Sequence, residues 1–356
     1  MHPGEKESQK GNIFFPLVSL KIYTSKNWLR KRQHLKNFSV DTVIFLRFRK
    51  TLSMTTMSLL PSALILFLLF LQPLMAHSVR LCVGLSGPIS DLGYNFMHNL
   101  GRREAVSSLQ SRYPALTFDS VIADSLNSLN ETEQGKVWDN FVLNKNCSIV
   151  VSNSIVPSTL AAATRHPTVQ FVITTDTVRN STRPNVKFVF GRLYQASYLA
   201  GIVAVSATTK GGCIGFVASQ RFSTVRLMVN ALALGARTVD PNISVHVIPL
   251  DRWLWEEGAK KAAELLHLRA GCKILAYREN SMSTALYAQE RIQQGVKVVG
   301  YASNVRDFVG DSVLISVMLT FDVIYERILS DYVLQEGFRW QWILFPWSRR
   351  GRMQTQ

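Results

Sequence analysis

The sequence predicts an α/β chain of two doubly wound lobes that face each other across a cleft. Three observations carry this. From residue 80 onward, short apolar runs rich in Val, Ile and Phe alternate with helix-like segments, the pattern of parallel sheets with right-handed crossovers. The alternation restarts after the glycine turn Gly211-Gly212, so the rhythm occurs twice. The four cysteines repeat the same places in both halves.

In the first half, LCVGLS (81–86), LTFDSVI (116–122), CSIVVS (147–152) and VQFVITT (169–175) are too short for helices and rich in strand formers. NLGRREAVSSLQSRY (99–113) and STLAAATRH (158–166) lie between them with helical character. GRLYQASYLAGIVAVSATTKGG (191–212) follows as an amphipathic helix ending in glycines, and it joins the halves. The second half gives strands at CIGFVAS (213–219), SVHVIPL (244–250), CKILAYR (272–278) and VKVVGYA (296–302). Its helices are VRLMVNALALGART (225–238), EEGAKKAAELLHLRAG (256–271) and STALYAQERIQQG (283–295).

Cys82 and Cys147 fall in the first and third strands of lobe one, and Cys213 and Cys272 hold the same places in lobe two. In a sheet ordered 2-1-3-4 the first and third strands are neighbours. Disulfides Cys82–Cys147 and Cys213–Cys272 are therefore expected in an oxidising compartment. Two pairs of buried free thiols are the alternative.

The net charge of +16 invites a nucleic-acid reading, which its distribution opposes. Residues 1–57 hold 11 Lys and Arg against 3 acids, and 339–356 hold four Arg and no acid. The body between is nearly balanced, whereas a nucleic-acid-binding fold carries its basic stripe within its own elements. No nucleic-acid partner is expected.

MSLLPSALILFLLFLQPLMA (57–76) has the apolar block and small closing residue of a secretory signal peptide. An uncleaved signal-anchor is the alternative, with positive charge kept inside. Met54 and Met57 immediately precede it, so 1–56 reads as a basic extension from an over-extended gene model. Four sequons, at Asn130, Asn146, Asn180 and Asn242, agree with a secreted or extracellular location. The expected organisation is lobe one at 77–195, lobe two at 196–335, and a Trp- and Arg-rich tail at 336–356. That tail reads as an intron read-through or frameshift, or else as a membrane-surface segment.

Catalytic signatures are missing. There is no HExxH, GxSxG, Walker A or CxxC spacing, and the seven histidines show no metal-like pairing. No enzyme, metal or cofactor is expected. His98 and His166 are expected on solvated helix surfaces.

The carboxyl ends of the strands, where open α/β sheets hold ligands, are polar or aromatic throughout. Lobe one offers Asp91, Tyr94 and Asn95, then Ser152, then Thr175 and Asp176. Lobe two offers Trp253, Asn280 and Asn304, with Phe222, Arg252 and Arg278 beside them. A flat aromatic stacks on a heterocycle, while amides and carboxylates take hydroxyl or ring-nitrogen hydrogen bonds. A helix-capping role is the other reading of an acid such as Asp91.

SDLGYNFMHNLGR (90–102), FGRLYQASYLAGIVA (190–204), GCIGFVAS (212–219) with NALALGAR (230–237), and NSMSTALYAQERIQQGVKVVGYASN (280–304) together resemble the Bmp/Med family. Its members are basic-membrane-protein-type substrate-binding proteins, purine-nucleoside receptors of ABC transporters among them. The resemblance runs from about 80 to about 330. It implies two Rossmann-like lobes in a type I periplasmic-binding-protein fold, closing on a small ligand by hinge motion.

By position, the resemblance implies that Tyr94 stacks on ligand while Asp91 and Asn95 bind polar atoms. Ser152, Thr175 and Asp176 match the next ligand loops, and Trp253 the aromatic of lobe two. The sequence departs where relatives carry Asp: it has Asn280, and Ala302 with Asn304. A nucleoside-like ligand is implied, with the departures and the two arginines leaning towards a more acidic one. A membrane transporter or receptor is the implied partner. Alternatives are a receptor ectodomain and a degenerate surface protein that binds nothing.

Overall fold

The computed structural model describes residues 78–175 and 182–344, with side chains described as far as Leu334. The extension 1–56, the apolar segment 57–76, Asp176, Asn180 and the end of the tail lie outside the described residues. Among the described residues no helix is long and apolar enough to cross a membrane.

Lobe one contains β1 (Ser78–Gly84), α1 (Tyr94–Arg112), β2 (Thr117–Ala123), α2 (Glu131–Leu143), β3 (Ile149–Asn153), α3 (Val156–Arg165), β4 (Gln170–Thr174) and β5 (Val186–Val189). All neighbouring strands are parallel, in the order β2-β1-β3-β4-β5. After α4 (Leu193–Val205) come β6 (Cys213–Ala218), α5 (Ser223–Val239), β7 (Ser244–Pro249), α6 (Glu256–Leu268) and β8 (Ile274–Arg278). α7 (Ser283–Glu290), β9 (Lys297–Ala302), the short α8 (Arg306–Val309), β10 (Val313–Met318) and α9 (Phe321–Leu344) complete the chain. The second sheet, β10-β9-β8-β6-β7, has the same topology. The described residues thus form two doubly wound α/β sheets.

The two-residue period of a strand sorts side chains between two helix layers. In β1, Leu81 and Val83 enter the large core that continues into lobe two. Cys82 enters a smaller core with Trp138, Phe141, Phe171 and Ile173. Cys82 bonds Cys147 there, with Cα atoms 5.8 Å apart. Cys213 bonds Cys272 at the amino ends of β6 and β8, with Cα atoms 5.0 Å apart.

Each sheet's fifth strand leads into a helix that packs on the other half. α4 leaves β5 and packs on α5 and β10. α9 leaves β10 and packs on α1 and β1. Glycines allow these close crossings. A Cβ on Gly235 would run into the Tyr198 carbonyl, and one on Gly101 would sit 2.5 Å from the Asp322 backbone nitrogen. The chain is back against α1 from Phe321 onward, ahead of the tail expected at 336.

The sequence reading lacks five of these elements: β5, β10, α2, the short α8 and α9. α2 begins with a capping box, in which Asn130 and Glu133 each accept a backbone hydrogen bond from the other at 3.0 Å.

Candidate functional site

A cavity of about 220 Å³ lies between the carboxyl ends of the two sheets. The first half supplies Ser86, Tyr94, Asn127, Ser154, Thr175 and Phe190; the second supplies Phe222, Trp253, Arg278, Asn280 and Tyr301. Five aromatic rings thus face hydroxyls, amides and one guanidinium. The volume falls just below the ~300–1,000 Å³ usual for ligand pockets, a size for a single or fused ring and not for an oligomer.

Tyr94 opens α1 and is 7% exposed, with its hydroxyl 3.4 Å from the Thr174 carbonyl and 3.5 Å from Ser154 Oγ. Trp253 lies at a tilt to Phe222, with ring centroids 6.4 Å apart. The Arg278 guanidinium sits 5.6 Å from the Trp253 ring centroid, an arrangement that stiffens both side chains. Ser154, Asp251 and Ala302 have left-handed backbone at the carboxyl ends of β3, β7 and β9. Non-glycine residues held this way concentrate at binding loops.

The site residues expected from sequence divide in two. Tyr94, Thr175, Trp253 and Asn280 line the cavity together. Asp91, Asn95, Ser152 and Asn304 do not line it, and Asp176 lies outside the described residues. Asp91 Oδ1 accepts from the Gly93 and Phe96 amides at 3.0 and 2.9 Å. Its Oδ2 accepts from the Asn95 amide at 2.9 Å and from Asn95 Nδ2 at 2.8 Å. The carboxylate therefore caps the amino end of α1, where the helix dipole also favours a negative charge.

Asn95 Oδ1 in turn accepts from Ser86 Oγ, the Gly87 amide and Asn153 Nδ2, at 3.3, 3.1 and 2.8 Å. It ties β1, α1 and β3 together beneath the cavity. Ser152 Oγ, fully buried, donates to the Ile155 carbonyl at 3.2 Å. Asn304 is partly exposed and donates to Asp307 at 2.8 Å.

Ser86, Asn127, Phe190 and Tyr301 line the cavity without having been singled out. Asn127 follows β2, a strand end the sequence reading passed over, and Phe190 follows β5. Tyr301 is the penultimate residue of β9, a strand buried on both faces, so no alternation in its sequence marks the one side chain that reaches the cavity.

Two histidines need correction. His98 is fully buried instead of solvated, and burial pushes its pKa well below the ordinary value, so the ring is neutral. α9 covers it, an element more than 200 residues away that helix periodicity in α1 cannot reveal. His166 is also partly buried, with Nε2 2.7 Å from Asp139. Asp139 is held below the usual carboxylate range by His166 and Arg165 against an opposing contribution from burial, the largest single one.

At the far, amino end of the second sheet, Cys213, His246 and Cys272 place their ligand-type atoms within 4.8 Å of one another. The disulfide consumes both thiolates, which leaves one imidazole as donor in that group.

The chain resembles known proteins along most of the described length. It is 33% identical over 156 residues to a Haloferax volcanii protein named as an ABC transporter glucose-binding protein, covering 44% of this chain. It is 25% identical over 234 residues, 65% of this chain, to a purine-binding protein of Brucella abortus. It is 25% identical over 263 residues, 73% of this chain, to metabotropic glutamate receptor-like protein J of Dictyostelium discoideum. The matches span 38%, 62% and 32% of those relatives, less than two thirds of each.

Among solved structures, an ABC transporter solute-binding protein from Aeropyrum pernix superposes with TM-score 0.60 at 18% identity, over 72% of this chain and 71% of that one. One from Conexibacter woesei gives 0.55 at 21%, over 72% and 81%. At these identities the likeness speaks for the fold alone, a type I periplasmic-binding-protein fold. The family model for PnrA-like ABC transporter substrate-binding proteins matches residues 78–342. That family binds solutes and is not a family of enzymes. The chain belongs to the Bmp family of PnrA-like ABC transporter substrate-binding proteins.

Proposed function

We propose that this substrate-binding protein closes its two lobes on a small planar polar ligand of the purine or purine-nucleoside class, outside the cytoplasm, for uptake or sensing. The observation that carries the reading is the cavity in which Tyr94 and Phe190 face Phe222, Trp253 and Tyr301, with amides and hydroxyls around them. Aromatic faces bind a flat ring, and the polar groups fix its orientation. The Brucella relative, named as purine-binding, supports the same class.

Closure occurs about the two crossings, near 190–193 and 318–321, where the chain passes between the halves. The lobes in this reading are 77–195 and 196–335, with α9 returning to lobe one. Asn130, Asn146 and Asn242 are exposed, as N-glycosylation on the extracellular side requires. The partner is a membrane transporter or receptor. A sensing role is favoured by one observation: the match to the Dictyostelium receptor-like protein covers 73% of this chain but 32% of that relative.

Thermal unfolding of the full chain against adenine, hypoxanthine, adenosine and inosine tests the proposal. A ligand at one hundred times its Kd stabilises by about 2.7 kcal/mol. The expected result is a raised midpoint with at least one purine, abolished in Trp253→Ala and in Tyr94→Ala. A cooperative melt that none of the four shifts would remove the purine assignment.

A further inference from the structure

No described side chain of α9 lines the cavity, yet Phe321 lies one side chain away from it, against Tyr94, and Tyr325 lies behind His98. His98 stands one helical turn after Tyr94 on α1, and Tyr325 one turn after Phe321 on α9. Residues so spaced share a helix face, so the two pairs meet where the helices pack. The His98 ring stacks on Phe321, with centroids 3.5 Å apart and planes at 21°. Its Nδ1 lies 2.8 Å from the Tyr325 hydroxyl, and its Nε2 3.4 Å from Thr174 Oγ1. A neutral imidazole donates through one nitrogen and accepts through the other, which suits two hydroxyl partners.

Tyr94 meets this cluster edge-on, 4.7 Å from the His98 centroid and 5.6 Å from that of Phe321. Its hydroxyl lies near the Thr174 carbonyl. His98, Phe321 and Tyr325 are each no more than 1% exposed. The ring that faces the cavity is therefore backed on the far side by a dry, hydrogen-bonded group, two of whose three side chains come from α9.

We infer that His98, Phe321 and Tyr325 are positioning residues for Tyr94, so that α9, arriving from the second sheet, sets the ring plane the first lobe presents to ligand. The inference rests on the cavity being the ligand site, and it adds α9 to that site without a direct contact. A ring held in one rotamer before binding spares the ordering cost of a mobile one, worth up to about tenfold in affinity. By linkage, ligand in the cavity and the seating of α9 strengthen each other.

The test is 19F NMR of the full chain labelled with 3-fluorotyrosine, with the Tyr94 signal assigned by Tyr94→Phe. The expected result is one sharp Tyr94 resonance in the parent protein, and a broadened or multiple one in Phe321→Ala and His98→Leu that retain native circular dichroism. Tyr325→Phe, which removes one hydroxyl, keeps a folded protein measurable if those two do not fold. It is expected to shift the Tyr94 signal and to weaken inosine about three- to tenfold. An unchanged Tyr94 resonance in the folded variants would overturn the inference. Variants that perturb the resonance, in a protein whose Tyr94 signal no purine moves, would uphold the positioning and remove the ligand reading instead.

Discussion

The two lobes share a strand order but treat the polar residues at their strand ends in opposite ways. In lobe one, Asp91, Asn95, Ser86 and Asn153 close on one another and on nearby amides, and every carboxylate and amide oxygen named above has its partner. In lobe two, Ser219 Oγ, Thr224 Oγ1, Glu279 Oε2 and Ser303 Oγ are buried and make no hydrogen bond to the described residues. Three of these follow the adjacent strands β6, β8 and β9. Lobe one thus arrives preorganised, with its polar groups satisfied. Lobe two carries buried polar groups that cost about 1–3 kcal/mol each unless internal water meets them. The same topology supports a rigid shelf on one side of the cavity and a less satisfied one on the other.

The sharpest way to break this contrast is Asn95→Ala. It strands Asn153 Nδ2 and Ser86 Oγ in a buried place and takes the acceptor from the Gly87 amide, while Asp91 Oδ2 keeps only the backbone amide of residue 95. A loss of about 3 kcal/mol or more is expected, read as a lower urea midpoint and a Tm drop of about 6–12 °C. A loss under about 1 kcal/mol would mean that the network rearranges and lobe one is no more fixed than lobe two.

Glu279 tests the other side. Burial pushes its pKa up to about 8, against hydrogen bonds from Ser281 and Thr284 that pull it down. The folded state therefore keeps a proton that the unfolded chain releases above about 4.3. Its contribution to stability is complete below that pH and is lost as pH rises through about 8. Glu279→Gln cannot ionise, so its Tm relative to the parent should rise between pH 5 and pH 8.5, by about 3 °C or more. A difference that stays flat across that range would show Glu279 ionised in the folded protein.

Ser219→Ala gives the smallest effect. It removes no hydrogen bond, so stability should stay within about 0.5 kcal/mol or improve. Ser86→Ala, its counterpart after β1, loses the bond to Asn95 and should cost about 1 kcal/mol. Equal costs from the two serines would erase the distinction between the lobes.

Much of the frame is legible in the residues. The strands from LCVGLS to VKVVGYA are apolar runs too short for helices, and the structure has a strand at each. β5 is only Val-Lys-Phe-Val, and a run of four with a lysine inside carries little signal. α2 is polar and contains Gly135, so its amphipathic pattern is weak. Its capping box, Asn130 with Glu133, is the available clue, and it overlaps the sequon at the same asparagine.

The candidate site is readable to the level of loops. Tyr94, Trp253, Thr175 and Asn280 follow from the rule that ligands sit at strand carboxyl ends. Asp91 shows the limit, because an acid before a helix serves a ligand and caps a helix with the same sequence signature.

By itself, then, the sequence determined the alternation of strand and helix, the doubling of that alternation, the neighbour relation of the cysteine-bearing strands and the loops that meet at the cleft. These depend on local period, run length and turn residues, which a chain carries in order. The tertiary structure alone decided which oxygens at those loops were already spent on amides, that His98 lies under α9, and that the last helix returns to the first sheet. The first depends on which of two competing partners, a nearby backbone amide or a ligand, an oxygen takes; the other two depend on atoms more than 200 residues apart coming within about 3 Å of each other, as His98 and Tyr325 do. No local pattern encodes such a meeting.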